Sequence, residues 1–170
     1  MKKNFRTWGV GLLMFAAFLV TGCAGSEASS VGAYNNKIVV IQQDMLQRAQ
    51  DSAKFLSGQD LDASRAASEM SNVLADVQKT YDEFKALQVP KGGEAIAAAM
   101  KNFFDVEVEG LNNLIVNLRS FVGKEKDGQA VNNLMKVVDD FSKKENDALV
   151  NFNDVQKQTA DKYGKKVETN

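Results

Sequence analysis

The sequence predicts an all-α protein, a four-helix bundle with up-down-up-down connectivity. Apolar residues recur at spacings of three and four along four long stretches, which places them on one face of a helix. There is 1 proline in 170 residues, so loops are few, and Ala, Leu, Lys, Gln, Asp and Glu favour helix. No run alternates β-branched and polar residues as a strand would.

The chain opens with Lys2, Lys3 and Arg6, followed by an apolar run from Trp8 to Val20. At about 13 residues the run falls short of the roughly 20 that cross a bilayer. A basic start, a short apolar middle and small residues before a cut make a signal peptide. Its end, Val20-Thr21-Gly22-Cys23, resembles the lipobox of bacterial lipoproteins. That resemblance implies cleavage between Gly22 and Cys23 and a diacylglycerol on the Cys23 thiol. Cys23 is the 1 cysteine of the chain, so it has no disulfide partner within the chain. Two or three acyl chains hold a protein stably where one does not. Ala24 stands where lipoproteins of the enteric type carry Asp for inner-membrane retention, which by resemblance favours the outer membrane.

Residues 23–33 read as the lipidated cysteine and a flexible tether, because Ala24 to Gly32 are small and polar. Residues 34–164 read as the bundle and 165–170 as a polar tail. Removing residues 1–22 takes away three of the 21 cations and none of the 22 anions, leaving 18 against 22 and a net charge of −4. Such a body is unsuited to nucleic acid, which needs a concentrated basic face.

The first helix is expected from about Tyr34 to Ser57, with Tyr34, Ile38, Ile41, Met45, Ala49, Ser52 and Leu56 on one face and Gly58 ending it. The second is expected from about Leu61 to Gln88, capped by Asp60 and stopped by Pro90. Its stripe is Ala66, Met70, Val73, Val77, Tyr81, Phe84 and Leu87. The third, from about Glu94 to Val122, has a broad apolar face that includes Ile96, Met100, Phe103, Phe104, Leu111, Leu114, Ile115 and Leu118. Gly110 inside it costs about 1 kcal/mol relative to Ala, so a close neighbour is expected there, Phe152 or Tyr81. The fourth, from about Gln129 to Tyr163, carries Val131, Leu134, Val138, Phe141, Ala148, Phe152, Val155, Thr159 and Tyr163 on one seam.

Glu107 and Glu145 fall on or beside these seams. One reading is a polar cluster of Glu107, Glu145 and Tyr81 inside the bundle that holds a ligand or fixes register. The other places both carboxylates at the seam edge in water, and it is preferred because charged residues are seldom fully buried. The Asn-rich surface, beginning with Tyr34-Asn35-Asn36, reads as a solvated face with one helix cap rather than a glycan or peptide groove.

Chemistry is largely excluded. With His 0 in the sequence, His-based metal centres, Ser-His-Asp and Cys-His centres are ruled out. No stretch has Ca²⁺-loop spacing and no glycine loop suits a phosphate. No cofactor, metal site or catalytic residue is expected, although a carboxylate-only enzyme is conceivable if two acids lie within roughly 5 to 9 Å in a cleft.

Four features together resemble a family of small helical bacterial surface lipoproteins of unassigned function. They are Tyr34-Asn35-Asn36-Lys37-Ile38-Val39, the Leu87-Gln88-Val89-Pro90 break followed by Gly92, the Phe103-Phe104 pair, and the ending Asp161-Lys162-Tyr163-Gly164. The resemblance implies a helical lipoprotein and no catalytic residues. The functional expectation is a non-enzymatic binding or interaction module, held to the cell-envelope membrane at Cys23 and meeting a protein or glycan partner. The alternative is a small-ligand carrier with a cavity between the helices.

Overall fold

The computed structural model describes residues 27–56 and 61–164, and they form four helices. These are α1 (Glu27–Leu56), α2 (Ala63–Lys85), α3 (Glu94–Phe121) and α4 (Gly128–Gly164). No strand is present among the described residues. The helices pack as a four-helix bundle in which α3 is the centre, lying against α2 on one side and α4 on the other. The α1–α4 seam is the thinnest.

The seams are apolar, as the spacing predicts. Phe103, Phe104, Met100, Ile96, Leu114 and Leu118 of α3 are fully buried, as are Ile38, Met70 and Phe152 from the other helices. Burying a side chain of this size contributes about 1.5–3 kcal/mol. No described helix is long and apolar enough to cross a membrane.

Helix α1 begins at Glu27, not near Tyr34, so part of the expected tether is helical. Val31 and Gly32 are buried and Ala28 packs against the core. The Ala28-Val31-Tyr34-Ile38 spacing continues the apolar stripe backwards, and its burial outweighs the weak helix propensity of Ser29, Ser30 and Gly32. Helix α2 starts at Ala63 with Asp62 as its cap, not Asp60. The Asp62 side chain accepts a hydrogen bond from the Arg65 backbone N–H at 2.9 Å, which satisfies a donor that the first turn leaves free. The helix ends at Lys85, before the expected Gln88. Asp127 caps α4, accepting from the Gln129 and Ala130 N–H groups at 2.8 and 3.3 Å.

One end of the bundle is stitched together by three segments distant in sequence. The α2–α3 turn takes a positive φ of 89° at Gly92, and a Cβ there would collide with the Tyr163 hydroxyl. The Tyr163 hydroxyl in turn donates to the Glu27 carboxylate at 3.3 Å. The start of α1, the turn after Pro90 and the end of α4 therefore share one end, and residues 122–127 lie at the other.

Gly110 admits a close neighbour, but it is Phe141 of α4 rather than Phe152 or Tyr81; a Cβ at Gly110 would run into the Phe141 ring. Lys144 bonds Glu109 at 2.8 Å across the same seam. Together these contacts fix the α3–α4 register. Gly22, Cys23, Gly58, Asp60 and the polar tail 165–170 lie outside the described residues.

Candidate functional site

The fixed register sets Glu107 of α3 opposite Glu145 of α4. Glu107 is 5% exposed, a carboxyl group inside the bundle and not one at the seam edge. The seam-edge reading therefore fails for Glu107. Gly110, one turn further along α3, lets α4 approach closely through the Phe141 ring. Glu145 is half-buried and its carboxyl lies within hydrogen-bonding reach of Glu107. Burial, then the charge of Glu145, holds the Glu107 carboxyl protonated well above the usual range. Burial also raises Glu145, opposed by the hydrogen bond it receives from Glu107. One oxygen of Glu107, Oε1, has no hydrogen-bond partner.

Tyr81 is not part of this cluster. Its hydroxyl donates to Asp105 at 2.7 Å on the α2–α3 side, and its ring stacks on Phe104 with centroids 4.7 Å apart. Asp105 and Glu107 are separated by about 200° around α3, so one tyrosine cannot serve both. Lys101 bonds the second oxygen of Asp105. Burial alone would raise the Asp105 carboxyl, but Lys101 and Tyr81 outweigh it and hold the group below the usual carboxylate range. Burial and then Asp105 raise the Tyr81 phenol. This trio is an orienting network beside the aromatic cluster.

Two buried polar residues escape the sequence reading. Gln42 of α1 is 0% exposed and neither amide atom has a partner. Thr80 of α2 is buried, with its hydroxyl donating to the Asp76 carbonyl of its own helix at 3.0 Å. The Ile38-x-x-x-Gln42 spacing carried the signal, but Ile41 competes for the same stripe and, being apolar, was the natural choice. The ion pair of Arg48 with Asp76 aligns α1 with α2, and the Tyr81–Asp105 bond aligns α2 with α3.

An unpaired buried amide costs about 1–3 kcal/mol. Gln42→Leu is therefore expected to stabilise the protein by that amount, read as a higher urea midpoint at unchanged slope. A lower midpoint would show that the amide is satisfied in solution.

The described cavity is not an interior one. It is an open groove of about 420 Å³ between α1 and α2, with Val40 and Ile41 on one wall and Lys79, Thr80 and Glu83 on the other. Arg48 closes one end, bonded to Asp44 at 2.9 Å and Asp76 at 2.8 Å. Asn35 accepts from Gln156 across α1 and α4 at 2.9 Å, and Asn112 and Asn117 donate to carbonyls of their own helix. Among the described residues, no three Asp, Glu, His or Cys side chains gather in a metal-binding arrangement.

No family model, curated protein or solved structure matches the chain.

Proposed function

We propose that this chain is a lipid-anchored protein of the bacterial cell envelope that works as a non-enzymatic binding or interaction module. The observation that carries the reading is the run from Lys2 to Cys23, a short basic-apolar segment ending in Val-Thr-Gly-Cys. The resemblance to small helical surface lipoproteins adds to it, and Ala24 favours the outer membrane. Cys23 receives the lipid after cleavage behind Gly22.

The early start of α1 sharpens this picture. Ala24, Gly25 and Ser26 are all that separate Cys23 from α1, and even fully extended they span at most roughly 11 Å. The bundle end made by Glu27, Gly92 and Tyr163 then faces the bilayer from close by. The opposite end, residues 122–127, faces outward with exposed Val122, Lys124, Glu125 and Lys126. That loop and the α1–α2 groove are the surfaces offered to a protein or glycan partner. The carrier reading draws on the buried Gln42 amide and on Oε1 of Glu107, both without a hydrogen-bond partner.

Cys23→Ser, expressed in the native bacterium, is expected to move the protein wholly from the salt-washed membrane fraction to the soluble fraction. A variant that still pellets with membranes after the wash contradicts the anchor.

A further inference from the structure

We propose that Glu107 and Glu145 form a one-proton site across the α3–α4 interface, and that loss of the shared proton as pH rises loosens α4 from α3. The geometry is the basis. Gly110 against Phe141 and Lys144 against Glu109 hold the two helices in one register, and in it the Glu107 and Glu145 carboxyls are hydrogen-bonded to each other. Glu107 is buried with Oε1 unpartnered, and its hydrogen bond runs to Glu145. Two carboxylates in contact cannot both be ionised without large repulsion, so one proton is retained between them. The more deeply buried Glu107 donates and Glu145 accepts.

No cation from the described residues offsets the pair. On α3, Asp105 turns to Lys101 and Tyr81, and Glu109 turns to Lys144. On α4, Lys144 is held by Glu109, while Lys143, Asp140 and Asp147 are exposed. From α2 the neutral Thr80 lines the α1–α2 groove with Asp76, Lys79 and Glu83, its hydroxyl donating to the Asp76 carbonyl. From α1 the neutral Gln42 is buried, and Asp44 and Arg48 lie in that groove.

The sign follows from proton counting. Glu107 is raised in the fold, so above the ordinary carboxyl range of about 4.3 the folded chain binds a proton that the unfolded chain has lost. The stabilising contribution is complete below that range. It is lost as pH rises through the folded value and is constant beyond it.

The test compares the full chain in detergent with Glu107→Gln, which keeps the shape of the protonated acid and can still donate to Glu145. The ratio of the folding equilibrium constants, variant over wild type, is expected to rise at least about tenfold between about pH 5 and pH 9, tenfold being one pKa unit. Infrared spectra of the wild type are expected to show a protonated carboxylic-acid stretch that persists above the ordinary carboxyl range of about 4.3 and that Glu107→Gln lacks. Should Glu107→Gln fail to fold, Glu145→Gln removes the acceptor instead, and the acid stretch of Glu107 is expected to move; an unmoved stretch overturns the shared proton. A pH-independent ratio overturns the proposal, as does an absent acid stretch. Recovery of wild-type stability at alkaline pH on adding Ca²⁺ or Mn²⁺ also overturns it, since a cation would then be the occupant.

Discussion

Phe141→Ala is expected to cost about 3–5 kcal/mol, the range for emptying a buried aromatic site. The ring is 7% exposed and lies directly on the α3 backbone at Gly110. Its removal leaves a void between two helices held in register by this contact, so neighbours can collapse into it only by shifting α4. The melting temperature should fall by roughly 10 °C. The reciprocal change is informative. Gly110→Ala should gain about 1 kcal/mol of helix propensity yet lose more to the clash with the Phe141 ring, since overpacking costs about 1–3 kcal/mol. In the Phe141→Ala background the same Gly110→Ala change should become stabilising, because the colliding ring is gone. That reversal of sign in a double-mutant cycle reports the contact itself.

Phe104→Ala should be of similar size, about 3–5 kcal/mol, but should act on the other side of α3. Phe104 is 0% exposed, stacked on Tyr81 and tilted against Phe84 with centroids 5.4 Å apart. Aromatic pairs of this kind add about 0.5–1.5 kcal/mol beyond buried area. Losing the ring also frees Tyr81, whose hydroxyl depends on that platform to reach Asp105. Urea unfolding should therefore show the loss, and the pKa of Tyr81, raised in the fold by burial and by Asp105, should fall back towards its ordinary value. Unchanged tyrosine titration in the variant would show that the platform does not hold the phenol.

The helices were legible because their stripes are long and regular. Phe141, Phe103 and Leu118 sit on the core face where the three-and-four spacing puts them, whereas α2 already ends at Lys85, ahead of Pro90, the residue expected to stop it. The start of α1 was less legible. Ser29, Ser30 and Gly32 read as a leash by local composition, whereas Val31 at 2% and Tyr34 at 5% exposure pull that segment into the bundle. Tertiary burial decides there, and composition cannot see it.

The candidate site was half legible. Spacing brought Glu107 and Glu145 to one seam, but a seam position does not say how near the next helix comes. That depth is set by Gly110, whose neighbour in space is fixed only by the register of α4. The misplacement of Tyr81 has the same origin, since α2 and α4 flank opposite sides of α3 and a single stripe cannot tell one side from the other. Gln42 was missed because Ile41 beside it satisfies the same periodicity with an apolar side chain.

The central claim is that a lipid on Cys23 moors this helical body to the envelope, and mass spectrometry of protein extracted from native membranes tests it most directly. The account predicts an amino-terminal peptide that begins at Cys23 and carries diacylglycerol on its thiol. A peptide running unbroken through Gly22-Cys23, with the cysteine unmodified, would contradict it.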